Sequence, residues 1–255
     1  MYMTFCKALL GVQKQTSNIG TLLELGAVPI MFFGIKNCIK NWYRIHKKNE
    51  ANSILLSVHQ MATEHGLPWP ILTKHTLDSI GIGSESDVDD IQKVTFEKLK
   101  ENFHQDSFAE INSNTSKLRT YAKLKSESGF EKYIKFTENI MDRTAITKTR
   151  LSNHELMIEK GRHQGLELNQ RLCPFCENTV ENEQHFLISC QNFRIPRTQF
   201  FTSIREIKND FDNLDEDNKF HFLLTDLEAL KLTGSYLNRT FQIRKFLLEN
   251  YKQNG

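Results

Sequence analysis

The sequence predicts a mainly α-helical protein, an irregular multi-helix array, and three observations carry that prediction. Apolar residues recur three or four positions apart along several stretches, which puts them on one helix face. Strict alternation, the mark of a half-buried strand, is scarce. Only 5 prolines and 12 glycines punctuate the 255 residues, too few for a chain of many short strands and turns.

The helical stripes come in chain order. Met31, Ile35, Cys38, Ile39, Trp42 and Ile45 form a first stripe, with Pro29 at its first turn and Arg44, Lys47 and Lys48 at its last. Proline is preset for a helix start and cations complement the dipole at its end. Val88, Ile91, Phe96, Leu99 and Phe103 make a second stripe, capped by Ser86 and opened by the acidic Asp87, Asp89 and Asp90. Leu237, Phe241, Leu248 and Tyr251 make a third, after a Gly234-Ser235 breaker. Cys6 and Cys38 sit in apolar helical surroundings and read as inert core thiols. Breaks at Ser126–Gly129 and at the acidic run Asp210–Asp217 divide the chain into helical residues 1–130, a basic lead-in with a cysteine cluster at 131–209, and C-terminal helices at 210–255.

Composition removes several function classes. At 39% apolar residues, with 18 phenylalanines, the chain can bury a core. A net charge of +2 gives no global field for polyanions, but charge is blocky. Residues 1–48 carry seven bases and one acid, 78–110 nine acids and three bases, 117–171 twelve bases and seven acids, and 206–228 eight acids and two bases. These blocks read either as solvated helix faces or as a basic surface leading from residue 117 to the cysteines. The most apolar stretch, Leu22–Ile35, is interrupted by Glu24 and Pro29 and falls short of the roughly 20 apolar residues of a membrane span. Lys7 within Met1–Val12, with no small-residue cleavage site after it, argues against a secretory signal. Five cysteines, an odd number, do not form a disulfide framework, and an intracellular protein is expected.

Three of those cysteines cluster. Cys173-Pro174-Phe175-Cys176, His185 and Cys190 give Cys-x2-Cys-x8-His-x4-Cys. Zinc takes four sulfur or nitrogen ligands tetrahedrally, and a two-residue spacer lets both sulfurs of a tight turn converge on one ion. The pattern predicts a small CCHC zinc knuckle with Zn2+ as cofactor, closed by four protein ligands and therefore structural. A helix over Glu181–Leu187 must end or loosen before Cys190, because five residues of α-helix would set His185 and Cys190 roughly 140° apart. Phe175, Phe186, Leu187 and Phe193 supply a local core, so the ion is expected to support its neighbourhood alone. Unligated buried residues, or a redox Cys-Pro-Phe-Cys dithiol, are the competing readings; the latter needs a βαβ setting that Glu167–Leu172 does not suggest.

No catalytic constellation stands out. His154-Glu155 opens like a zinc-protease helix, but Ile158 occupies the second ligand's position. Asp89-Asp90 lacks the strand setting of a two-metal site. An enzyme, and a small-molecule substrate, are not expected.

The run Arg143–Ser152, His154, Leu156 and Ile158–Arg162 leads into the cysteine cluster, with Val180-Glu181-x-Glu183-x-His185-Phe186-Leu187 beyond it. This pattern resembles the C-terminal zinc-binding region of non-LTR (LINE-type) retrotransposon reverse transcriptases. Phe5–Val12 with Thr16, Asn18 and Glu24-Leu25-Gly26 is similar to the segment just after the polymerase portion in such polyproteins, and Lys117–Tyr121 and Gly129–Tyr133 are in the same style. The resemblance implies a tail piece without endonuclease or polymerase, with Cys173, Cys176, His185 and Cys190 as zinc ligands and Lys148, Arg150, Arg162 and Arg171 as its basic lead-in. Gln191 stands where family members commonly have proline.

The expected function is a zinc-stabilised module binding RNA or single-stranded DNA. Lys148, Arg150, Arg162, Arg171, Arg194 and Arg197 are the candidate phosphate contacts, and Phe175 and Phe193 the candidate stacking faces. Pairing of the arginines with Glu155, Glu159 and Glu167, and core packing of the phenylalanines, are the competing assignments. The alternative functions are a structural or protein-interaction helical domain and a retroelement relic. A nuclear site of action is implied by the resemblance, although no strong basic import run is present.

Overall fold

A computed structural model describes residues 1–47, 54–79, 81, 88–113 and 117–253. It is mainly α-helical, and the described residues pair as β-structure only in two isolated bridges, Leu25 with Phe130 and Leu172 with Val180. The chain forms two compact units, Met1–Ala27 with Glu110–Gly255, and Val28–Ala109. The expected breaks at Ser126–Gly129 and Asp210–Asp217 both fall inside the larger unit, and the first 27 residues pack with the C-terminal half. Among the described residues, no helix is long and apolar enough to cross a membrane.

Helices α1 (Tyr2–Leu10) and α2 (Asn18–Glu24) begin the larger unit; the Ser17 hydroxyl caps α2 by accepting from the Gly20 N–H at 3.2 Å. The smaller unit contains α3 (Met31–Lys47), α4 (Ile54–Glu64), α5 (Pro68–Ser79) and, up to Ala109, α6 (Val88–Ile111). Its core is Ile39, Tyr43, Leu77 and Ile91, with Ile35 and Trp42 packed against them. The first stripe therefore holds in its middle, whereas Met31 is exposed and Cys38 only half-buried, so Cys38 is not a core thiol. Lys48, Ser86 and Asp87 lie outside the described residues, as do the side chains of Lys47, Val88, Asp89, Asp90 and Tyr251.

The larger unit continues through α7 (Arg119–Leu124), α8 (Tyr133–Phe136), α9 (Ile140–Arg150), α10 (Met157–His163), α11 (Arg194–Ile207), α12 (Glu216–Thr225) and α13 (Leu227–Gln253). Helix α13 is its axis, and α9, α11 and α12 pack along it. Ala229, Leu230, Thr233, Gly234, Tyr236, Leu237, Thr240 and Arg244 are its buried positions among the described side chains, at the three- and four-residue spacing of one helix face. Gly234 does not break this helix. A Cβ there would stand 2.9 Å from Ile146 Cδ1 and 3.1 Å from the Asp142 carbonyl, so the glycine lets α9 and α13 approach. Close packing offsets the intrinsic helix penalty of about 1 kcal/mol for glycine.

A buried ion network joins α2 to α9. Arg150 is 1% exposed and Glu24 0%. Arg150 Nε donates to Glu24 Oε1 at 2.8 Å, Nη1 to the Leu224 carbonyl at 2.6 Å, and Nη2 lies 3.1 Å from Glu131 Oε2. The guanidinium also lies over the rings of Tyr121 and Tyr133, 5.7 and 5.5 Å from their centroids. Tyr133 donates its hydroxyl to Glu24 Oε1 at 2.6 Å; burial, and then the Glu24 charge, push that phenol well up, which keeps it a donor. Arg150 is thus a structural cation and not a phosphate contact, because its donors are engaged away from solvent. Arg150→Met should lower the unfolding free energy by about 3–5 kcal/mol in urea denaturation, since Glu24 would stay buried without its cation. A loss below about 1 kcal/mol would mean that Glu24 is hydrated.

Candidate metal centre

Local chain geometry builds the cysteine cluster. A short 3-10 turn at Leu168–Gln170 leads into an irregular hairpin, with the Cys173 N–H donating to the Thr179 carbonyl at 2.8 Å and Glu181 N–H to the Arg171 carbonyl at 3.0 Å. Between these rungs Cys173-Pro174-Phe175-Cys176 turns back, closed by Glu177 N–H on the Cys173 carbonyl at 2.8 Å. Glu177 adopts φ 58°, a left-handed conformation that is uncommon outside glycine and asparagine.

The other two residues come from one wide turn. His185–Ser189 is a π-helix, and Cys190 N–H donates to the His185 carbonyl at 2.8 Å, five residues back. An i→i+5 turn winds positions five apart back toward one side, where an α-helix splays them. The expected loosening before Cys190 takes this form, and the expected α-helix over Glu181–Leu187 is replaced by it. Asn182 Oδ1 caps the turn by accepting from His185 N–H at 2.7 Å.

Together these segments put one ligand atom each from Cys173, Cys176, His185 and Cys190 within 4.8 Å of one another. Cys173 Sγ lies 3.9 Å and Cys176 Sγ 3.6 Å from Cys190 Sγ, and the cysteines are unbridged. Metal–sulfur bonds of about 2.3 Å at the tetrahedral angle require sulfurs about 3.8 Å apart. His185 is 7% exposed and its Nε2 has no hydrogen-bond partner among the described residues, while Nδ1 lies 3.5 Å from Ser189 Oγ. A buried ring nitrogen without a partner is costly unless it coordinates something. A hydrogen bond from Cys190 draws the Cys173 thiol down to about 3 against the effect of burial, and the same contact and burial push Cys190 up. The set can hold a metal ion, and all four positions are filled by protein side chains.

Sequence reasoning missed the contacts that hold this cluster to the helices. Glu181 is 1% exposed, accepts from Arg244 Nε at 2.7 Å and Nη2 at 2.6 Å, and takes the Met157 N–H at 2.7 Å. Glu183, 2% exposed, lies 2.9 Å from His154 Nε2 and accepts from Arg119 Nη2 at 3.0 Å. Burial raises its pKa, but the His154 hydrogen bond and the His154 and Arg119 charges outweigh that and hold the carboxyl at about 2. The signal was visible: Glu181, Glu183 and His185 alternate. Phe186 stacks on Phe241 at 4.7 Å and meets Phe193 edge-on at 5.0 Å, so the aromatic residues around the cluster belong to the main core.

The other candidate residues separate. Phe193 is fully buried, which excludes it as a stacking face; Phe175 is half-buried, edge-on to Phe193 at 5.7 Å. Arg197 is buried too, with Nη2 on the Cys190 carbonyl at 2.5 Å, and so is not a phosphate contact. Arg171 gives Nε and Nη2 to the Leu166 carbonyl and Nη1 to the Ile158 carbonyl; Gly161, where a Cβ would come within 2.6 Å of Arg171 Cγ, makes room for its stem. It ties α10 to the hairpin instead of facing a strand. Arg162 chelates Glu159 with Nε at 3.1 Å and Nη2 at 2.9 Å, the pairing weighed against a phosphate role. Lys148 is half-buried and Arg194 exposed.

Compared with protein-family models, curated proteins and solved structures, the chain finds no match in any of the three. Arg244→Met changes no candidate ligand yet frees Glu181, and should weaken metal retention about tenfold in a chelator competition. Unchanged affinity would mean that the hairpin keeps its shape without that pair.

Proposed function

We propose that Cys173, Cys176, His185 and Cys190 bind Zn2+ and that the zinc-stabilised chain binds RNA or single-stranded DNA, in the manner of the C-terminal tail of a non-LTR retrotransposon reverse transcriptase. The observation that carries the zinc reading is the pair of sulfur separations, 3.6 and 3.9 Å, on either side of the tetrahedral value. Three thiolates and one imidazole give a Zn2+ site a formal charge of −1, and the buried guanidinium of Arg197 on the Cys190 carbonyl offsets it. Zinc binding to such a set is worth about 10–16 kcal/mol in small peptides, ample to hold a segment with so little regular structure.

Nucleic-acid contact falls to fewer residues than the sequence suggests. Lys148 and Arg194 are the remaining basic contacts, Arg162 joins them if it releases Glu159, and Phe175 offers a partly open ring. A second reading has its own support. Arg150, Arg171 and Arg197 all act inside the larger unit, as expected if zinc only fastens helices for a structural or protein-interaction role.

Metal content tests the first part. The purified chain should carry about one zinc per molecule by atomic emission, lost in Cys173→Ser and in His185→Ala. A metal-free wild type of unchanged stability would overturn the assignment. Binding to a single-stranded oligonucleotide tests the second. With three phosphate contacts, affinity should drop about 20-fold between about 50 and 200 mM salt, and Lys148→Glu/Arg194→Glu should bind about tenfold more weakly. An affinity indifferent to salt and to those changes would favour the structural reading.

A further inference from the structure

Helix α1 and the segment after it line an open cleft of about 680 Å3, whose walls include Lys7, Lys14, Gln15, Thr16, Ser17 and Asn18. Two lysines are fastened to successive backbone carbonyls of that segment. Lys7 Nζ donates to the Lys14 carbonyl at 2.6 Å, and Lys117 Nζ to the Gln15 carbonyl at 2.9 Å. Each carbonyl satisfies one of the three donors of an ammonium and brings no negative charge.

The charges around this segment are poorly matched. Lys7 is 7% exposed, and burial lowers its pKa. Lys117 is lowered by burial first, then by Arg162, with Lys7 adding to the effect, so these cations stand within electrostatic reach of one another. Glu159 pulls the other way, but it already accepts from Arg119 Nη1 at 2.7 Å and from Arg162. On the same wall, Thr16 is 4% exposed and its Oγ1 has no hydrogen-bond partner among the described residues. Leaving a buried hydroxyl unsatisfied is unfavourable, so a small shift of this wall that uncovers Oγ1 would be offset by a hydrogen bond to a ligand oxygen. A cleft lined by Lys7 and Lys14, with Lys117 held to the Gln15 carbonyl of its wall, asks for a ligand with several acceptor oxygens and more than one negative charge.

We infer that this cleft binds a phosphate group, with Lys7 and Lys117 supplying charge, the Thr16 hydroxyl a neutral donor, and the exposed Lys14 closing the rim. Phosphate matches better than a carboxylate because it carries more acceptor oxygens and more charge, and so can engage several lysines at once. The site needs neither the zinc nor the retrotransposon reading. The phosphate belongs either to a nucleic-acid strand or to a small phosphorylated molecule, and one experiment tells them apart.

The full chain is titrated with inorganic pyrophosphate, monitored by thermal unfolding at constant ionic strength, and with a fluorescent oligouridylate, monitored by anisotropy. Lys14→Glu, an exposed change that leaves the fold intact, should weaken pyrophosphate binding about tenfold. Lys7→Gln/Lys117→Gln should abolish it, and Lys7→Arg/Lys117→Arg should restore part of it. Parallel loss of oligouridylate binding in Lys14→Glu assigns the phosphate to a strand. Loss of pyrophosphate binding alone assigns it to a small ligand, whatever becomes of the nucleic-acid proposal. If neither probe distinguishes Lys14→Glu from wild type, or neither binds, the inference is overturned.

Discussion

Glu24, Glu159, Glu181 and Glu183 are all between 0 and 3% exposed, and an ionised carboxylate so placed must meet a cation or lose its charge. In the larger unit that requirement determines where the arginines go. Arg150 answers Glu24, Arg119 bridges Glu159 and Glu183, Arg162 answers Glu159, and Arg244 answers Glu181. Most of these pairs join segments far apart in the chain, α2 to α9 or the cysteine hairpin to α13, so the connectivity of the unit is written largely in ion pairs. Such pairs add less net stability than apolar contacts of equal volume, but removing one partner is severe. They specify which helix lies against which.

The same requirement explains why the cysteine cluster is not an independent knuckle. Its two acids are the anchor points, its aromatic residues pack with Phe241 of α13, and its last carbonyl is held by Arg197 of α11. An ion at this position would therefore support the packing of α10, α11 and α13 as well as its own loop, a wider reach than the local effect the sequence suggests. A bound ion would be coupled to the bundle through Glu181 and Glu183, neither of which belongs to the candidate ligand set.

Helical class and the converging ligand set were readable from the chain, because both depend on short-range spacing. The stripe at Ile35, Ile39 and Trp42 and the Cys-x2-Cys turn each lie within a few residues. Pairing across long separations was not readable. Nothing near Arg150 in sequence tells that Glu24, 126 positions away, takes its charge. Gly234 reads as a breaker until α9 is laid beside it. The residues that carry the retrotransposon resemblance include Glu24, Arg119, Tyr121, Glu131, Tyr133, Arg150, Glu181 and Glu183, and these are polar groups that the fold draws into its ion network.

The five-residue turn from His185 to Cys190 carries one more implication. Winding and spacer length are a matched choice there. Removing a single residue between the two would let ordinary 3.6-fold winding superpose them, while an added residue would defeat either geometry. Sites of this kind can therefore exist in two helical dialects, differing by one residue, and a search pattern that fixes the interval at either length would overlook the other.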